Sequence, residues 1–563
     1  MTSGRGQRAT TILLALLLAI AGVRIIDAAR VVGLTHDEPA HLACGMEWLD
    51  RGTYLYEPLH PPLARVSVAL SPWLDGRHSL GQADLWSEGY AILLDGPSLR
   101  RTLLLARLGV LPFFFLAILG SWWWGNRLGG LAAGIVSALL ASTLPSMLAH
   151  GALATTDMPF TGMMAVTTAL AAKWFEQRSL RSSIALGLSL GLTLLVKHSA
   201  LLFLPVAGLV TFASWMLLGR KTVASGATSR PWAGQAALVA LTLMLVVWAG
   251  FRFSIGTSKD LAVLDERVDG SAAVPPLIGT AKVIPAPEYI AGVRHLKEIS
   301  RRGHPTFLLG EVGYRGWWYF FPVAFLVKTP IPFLLLTLAG IVWLGRWPPR
   351  SWLDFVPLLT AAGVMLVVLP SPINIGLRHV LTIFPLLAAV AGAGAVALYR
   401  AQWRGAIVGK AVVIALVSWQ VLSSARAHPN YLTWFNFLPG SRPDLVLVDS
   451  DLDWGQDMMA LVDTLRSRNA QSVTLAGALT RVPEPYRTQL GFPASSTMPP
   501  YTWTPGYVAV DLYGLHIGQL GNWRIPHDAY AWVENYEPVA SVGKTIRLYR
   551  FPADPDSALR RSH

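Results

Sequence analysis

The feature that most constrains this chain is the recurrence, from Thr11 to about residue 424, of apolar runs almost free of charge. Each is about 20 residues long, the length an α-helix needs to cross the hydrocarbon of a bilayer. With 53% of residues hydrophobic and 14% charged, a soluble chain of 563 residues would lack polar surface to cover itself. The sequence therefore predicts a polytopic α-helical membrane protein with about 11 transmembrane helices. They are expected near 11–29, 103–122, 131–150, 158–175, 183–197, 199–218, 235–252, 321–345, 353–370, 380–398 and 407–424.

Charge placement orients these spans. The net charge of +13 suggests nucleic acid only if position is ignored. Alternating sides puts Arg127, Lys173, Arg178, Arg181, Arg220, Lys221, Arg230, Arg346, Arg350, Arg400 and Arg404 together, leaving chiefly Lys197 and Arg378 opposite. Basic loops stay cytoplasmic, so the first group marks the inside. Acidic residues show the reverse bias, with Glu176 almost alone inside. The expected location is the plasma (inner) membrane, N-terminus cytoplasmic. Arg5 and Arg8 before the run at 11–23 resemble a signal peptide, but no clear small-residue cleavage site follows. An uncleaved first helix is expected, and either outcome leaves the next segment outside.

The expected division is a membrane domain, 1–424, with long outer segments 30–102 and 253–320, and a small extracytoplasmic α/β domain, 425–563. The stretch 289–301 is amphipathic. In the tail, 445–448 reads as a strand leading into 449–456 and a helix at 457–468, with β-rich runs at 473–475, 507–512 and 545–551. Many of the 22 Trp fall at span ends, as an interfacial belt requires. The single cysteine, Cys44, excludes an internal disulfide and argues against a Cys-based metal site.

The chemistry-bearing residues cluster on the expected outer face. Asp37 and Glu38 stand just after the first span, where adjacent carboxylates are electrostatically awkward. Mutual repulsion should raise one pKa toward the range of a general base. The alternative is an acidic pair snorkelling at a helix end. His60-Pro61-Pro62-Leu63 fixes an extended turn that holds His60 near the membrane surface. Asp157, two residues before Pro159, fits a helix N-cap, which does not exclude a second role. Lys197-His198, Lys328 before Pro330, and Arg378-His379 place cations on the side of the carboxylates, suggesting a pocket for a phosphate, although snorkelling explains any one alone. The acidic stretch 449–457 fails as a calcium loop, since its glycine comes late and Ala460 holds position twelve. Its Asp451-Leu452-Asp453 pair resembles metal-dependent nucleotide-sugar enzymes, but solvated carboxylates in a strand-to-helix turn explain it better.

In order, these motifs resemble the integral-membrane glycosyltransferases of the C-type fold. The nearest are the protein O-mannosyltransferases and the lipid A aminoarabinose transferases, including bacterial members of family 39. The resemblance runs through Asp37-Glu38, His60-Pro61-Pro62-Leu63, Thr156-Asp157-Met158-Pro159, Lys197, Lys328-Thr329-Pro330 and Arg378-His379, then Tyr431, Phe435-Asn436 and 449–457. It implies a polyprenyl- or dolichyl-phosphate sugar donor entering from the bilayer and a hydroxyl acceptor on protein, lipid or cell-wall glycan. Asp37, shared with Glu38, would be the base, with Asp157 orienting a substrate and the anomeric centre inverted. Aminoarabinose transferases carry a lysine before Pro-Pro. His60 stands there here, which makes that phosphate contact pH-dependent, and Lys197, Lys328, Arg378 and His379 are expected to share the donor phosphate with it. No cofactor is firmly expected. A divalent ion between Asp37 and Asp157, as in related oligosaccharyl transferases, is possible. A lipid-linked-sugar transporter is the competing class, although transporters place charges at mid-membrane and show internal repeats.

Overall fold

The computed structural model describes residues 4–218, 232–257, 283–346, 351–401, 407–520 and 527–557. Arg220, Lys221, Arg230, Arg350, Arg404 and the part of the 253–320 segment from 258 to 282 lie outside the described residues. Each expected span falls on helix. Among the described residues, five helices are long and apolar enough to cross a membrane: Gly6–Val31, Leu99–Gly129, Ala233–Gly250, Ile383–Arg400 and Ile407–Ala427. The number rises to 7 if two bent pairs each make one span, Leu131–Ser142 with Pro145–Gly151 at 64° and Phe320–Lys328 with Ile331–Arg346 at 112°. Shorter apolar helices occupy Leu180–Val196, Ala200–Met216 and Trp352–Val368. Both bends have a local cause, because Pro145 and Pro330 lack the N–H that a continuous helix would use. The chain is a multi-pass, mostly helical membrane protein. Long apolar runs carried that inference, whereas the proline-broken spans are short pieces that no length rule counts.

Between the first two spans the chain folds into short helices, Glu38–Arg51, Pro62–Leu74 and Leu85–Leu94. Pro61 is extended and Pro62 opens its helix, as the double proline requires. The 289–301 stretch lies in helix Pro287–Arg302, which buries Ala291, Gly292 and Arg294.

The tail carries a five-stranded mixed sheet in the order Ala494–Thr497, Ser472–Ala476, Gly506–Asp511, Ile546–Phe551, Ala540–Val542. The first three are parallel; Ile546–Phe551 runs antiparallel to both its neighbours. Val508, Val510 and Tyr549 build one side of its core. Helix Met458–Ser467 matches the expected one. The run 445–448 forms no strand: Leu445 ends the 3₁₀ turn Pro443–Leu445, and the Pro443 carbonyl accepts Val446 N–H at 3.0 Å and Leu447 N–H at 3.1 Å, so the chain turns where a strand would extend.

Candidate functional site

Asp37 immediately precedes helix Glu38–Arg51, and Arg378 lies in the 3₁₀ turn Leu377–Val380, just before a span. One Arg378 Nη donates to Asp37 Oδ2 at 2.7 Å and lies 3.8 Å from Asp157 Oδ2. Lys197, ending helix Leu180–Val196, donates to Asp157 Oδ1 at 2.6 Å. Asp37, Arg378, Asp157 and Lys197 thus form one alternating chain of charge, drawn from four separated segments.

Asp157 is the first residue of helix Asp157–Glu176 and makes no side-chain cap bond; its carboxylate turns to the two cations instead. The capping role expected for it is therefore absent. His60 sits behind this chain. Its Nδ1 is 3.3 Å from Arg65 and 3.8 Å from Glu57, and its ring meets His41 edge-on. His60 and His379 both lie within the field of Lys197, and His379 stacks along Phe321. His198 turns away, to the Pro58 carbonyl and Tyr289.

Glu38 and Lys328 are where the sequence expectations need correcting. Glu38, 1% exposed, is clasped by Arg107 through two bonds of 2.7 Å and accepts Thr35 N–H and Ala154 N–H. It therefore has no share in the Asp37–Arg378 pair. Lys328 donates to the carbonyls of Leu432 and Asp451 at 2.7 and 2.6 Å and lies over the Phe435 ring. Two of its three donors staple the bent span to the tail and the ammonium rests on the Phe435 ring, which suits it to a structural role rather than to a phosphate.

The expected repulsion between Asp37 and Glu38 is likewise overturned. Burial alone would raise the Asp37 pKa, but Arg378, with His36 and His41, brings it down to about 2. The carboxylate is ionised at any working pH. Asp449 behaves oppositely. Burial outweighs the help of Arg378 and pushes it up to about 7.

The 449–457 stretch is not a set of solvated acids. Asp451 and Asp453 are buried. Asp451 accepts Leu377 N–H at 3.0 Å, Ser450 Oγ donates to the Ile375 carbonyl, and the Trp454 ring lies 4.3 Å beneath the Arg378 guanidinium. On the other side, the Trp454 and Gln456 carbonyls accept His36 N–H at 3.0 Å and Gly33 N–H at 3.1 Å. A Cβ on Gly33 would stand 2.2 Å from the Gln456 oxygen, and one on Gly376 2.3 Å from Ser450 Oγ, so both loops reach the tail only as glycine. The tail thus holds Asp37 and Arg378 in register.

The two border a cavity of about 490 Å³ between the 34–37 loop, helix Leu85–Leu94 and the sheet domain. Trp86, Arg481, Tyr513 and Asp511 also line it. Arg107 and Trp454 escaped sequence reasoning. A lone cation inside an apolar run signalled Arg107, while nothing in the sequence ties Trp454 to Arg378. A divalent ion between Asp37 and Asp157 does not fit, since the Arg378 guanidinium already stands between the carboxylates and Lys197 holds the second.

The Asp449 shift has a measurable consequence. A carboxyl whose folded pKa stands above its ordinary 3.8 holds its proton more tightly folded, so its contribution to stability falls as pH rises toward about 7. Asp449→Asn cannot charge. In melting curves across this range, the variant is expected to gain on wild type most above pH 7 and least near 3.8. A pH-independent difference would refute the assignment.

Multiple apolar spans, two bent helix pairs, a buried chain of alternating charge and a cavity at its edge define a membrane protein with its charged groups gathered beside the apolar core. Residues 53–257 match the family model of dolichyl-phosphate-mannose-protein mannosyltransferase, which makes this a membrane glycosyltransferase. No curated protein matches the chain by sequence. In structure it is similar to ArnT from Cupriavidus metallidurans bound to undecaprenyl phosphate, at 12% identity and TM-score 0.49 over 95% of this chain and 97% of that one. It is also similar to the S. cerevisiae protein O-mannosyltransferase Pmt1-Pmt2 complex bound to the sugar donor, at 12% identity and TM-score 0.49 over 76% and 90%. The oligosaccharyltransferase AglB from Archaeoglobus fulgidus, in complex with an inhibitory peptide and a dolichol-phosphate, gives 12% identity and TM-score 0.45 over 93% and 72%.

Proposed function

We propose that this chain transfers a sugar from a polyprenyl- or dolichyl-phosphate donor to a hydroxyl acceptor, with Asp37 as base and Arg378 as the principal phosphate contact. The observation that carries this reading is the Asp37–Arg378 pair at the cavity edge, with Asp157 and Lys197 behind it. Among the described residues, the buried Nε of Arg378 has no hydrogen-bond partner, which gives an anion a ready donor.

A sugar phosphate is already a good leaving group, so no general acid is needed. The acceptor oxygen forms its bond to the anomeric carbon as the bond to the phosphate oxygen breaks, inverting that centre. The hydroxyl proton passes to Asp37. A carboxylate with a pKa of about 2 is a weak base, so transfer comes late, once bond formation has made the hydroxyl acidic. Protonating Asp37 loosens its hold on Arg378 just as the phosphate gains charge, and Arg378 and Lys197 stabilise it. Glu38 and Lys328 have no part in this scheme; His60 and His379 flank Lys197. The cavity and the tail domain, 425–563, face the extracytoplasmic side of the plasma (inner) membrane, with 1–424 as the membrane domain. The basic bias of the opposite loops supports that orientation.

The test is reconstitution of the full chain in vesicles with radiolabelled polyprenyl-phosphate sugars and a membrane extract as acceptor. Label is expected to move to an acceptor and free polyprenyl phosphate to accumulate. If no donor is consumed while labelled lipid crosses the bilayer, the transporter reading replaces this one.

A further inference from the structure

We propose that the sheet domain turns the cavity beside Asp37 into a subsite for a carbohydrate ring, so that the acceptor is a glycan hydroxyl rather than a protein side chain. The inference rests on the transferase reading above and adds the acceptor class.

Three carboxyls from the tail, Asp449, Asp453 and Asp511, line this cavity opposite Asp37. Two of them are fixed by backbone. Asp453 accepts from Gly455 N at 3.2 Å and Tyr513 N at 2.9 Å, and Asp511 from Ala478 N at 2.8 Å and Gly514 N at 3.1 Å. Each oxygen keeps acceptor capacity after those bonds. Burial raises both carboxyls, Asp511 to about 6, so the pair offers an O–H donor as well as acceptors near neutral pH.

A second, independent observation points into the same space. Thr35, 1% exposed and two residues before Asp37, is among the residues that line the cavity, and its buried hydroxyl has no hydrogen-bond partner among the described residues. A buried hydroxyl left unpaired is costly unless a ligand satisfies it. The Trp86 ring, stacked on His36 at 4.5 Å, and Tyr513 add aromatic faces to the wall. Fixed carboxyls that donate and accept, an unpaired hydroxyl and flat apolar faces match a neutral polyol, whose hydroxyls ring an apolar C–H face. Among the described residues, neither edge strand of the sheet, Ala494–Thr497 or Ala540–Val542, lines this cavity, so no sheet edge is offered to an extended peptide here.

The experiment is titration calorimetry of the full chain in phosphatidylethanolamine and phosphatidylglycerol nanodiscs, without donor. The probes are neutral tetrasaccharides of glucose, galactose, mannose and N-acetylglucosamine, the same sugars as glycolipids in the disc, and Ser/Thr peptides of similar size. At least one sugar is expected to bind saturably, and Thr35→Val and Trp86→Leu each to weaken it about tenfold, the scale of one lost buried polar or stacking contact. Preference for the glycolipid would make the acceptor lipid-borne, and equal binding a free or polymeric glycan; both support the subsite. Peptide binding weakened by the same substitutions would overturn it, as would sugar binding that neither substitution alters or no sugar binding at all. Because this readout needs no turnover, a donor that is never consumed would refute the transferase reading without touching the subsite.

Discussion

Asp37→Asn is expected to lower sugar transfer by about 10² to 10⁴-fold, the range that a positioned general base contributes. Asn keeps an oxygen that can accept from Arg378, so the pair at 2.7 Å is weakened rather than lost. What disappears is the site that takes the hydroxyl proton. The defect should therefore lie in kcat, with the KM for donor changed far less. Asp37→Glu restores the carboxylate but displaces it by one methylene, and should recover part of the rate. Since the wild-type carboxylate stays ionised down to about pH 2, the pH profile should carry no acid limb from Asp37 in the neutral range. Equal transfer by wild type and Asp37→Asn, both folded by melting temperature, would make Asp37 a structural anchor for Arg378 and end the base assignment.

The parts of this molecule that a sequence exposes are those governed by composition over many residues. Long runs such as 407–424 need no partner to be recognised, because the bilayer itself selects them. Asp37, Asp157, Lys197 and Arg378 stood out because a charge beside an apolar run is costly. Their pairing was hidden, because Asp37 and Arg378 lie 341 residues apart and meet only through the packing of their spans. The same limit explains the misreadings. Lys328 resembles a phosphate ligand in sequence, but two of its three donors go to the Leu432 and Asp451 carbonyls. The acids of 449–457 resembled solvated turn residues, because nothing local reveals that Asp451 caps Leu377 N–H and Trp454 underlies Arg378. Glu38 was grouped with Asp37 by adjacency. At the start of a helix, however, neighbouring residues point in different directions, and only the distant Arg107 says which one turns inward.

That division of labour between adjacent acids leads to the largest expected effect on stability. Glu38→Ala should destabilise the protein by about 3 to 5 kcal/mol, because it strands a buried guanidinium without its counterion. Arg107 is 1% exposed and could not reach water by a change of rotamer alone. The pair also does more than neutralise itself. Arg107 donates to the carbonyls of Ala29, Val32 and Gly33, each at 2.7 Å, while Glu38 accepts Thr35 N–H at 2.9 Å and Ala154 N–H at 2.8 Å. One ion pair thus ties together the end of the first span, the start of the second, and the loop that delivers Asp157. Arg107→Met should cost a similar amount, by leaving the Glu38 carboxylate buried with only backbone donors. Glu38→Gln should cost less, since it retains an acceptor for Arg107. If the cost is the uncompensated charge, the double replacement Glu38→Ala with Arg107→Met should be milder than the sum of the two single changes. Unfolding in detergent, followed by far-UV circular dichroism, measures all four variants. Additive losses would show that the two residues act separately, and a Glu38→Ala protein as stable as wild type would return Glu38 to the candidates for chemistry beside Asp37.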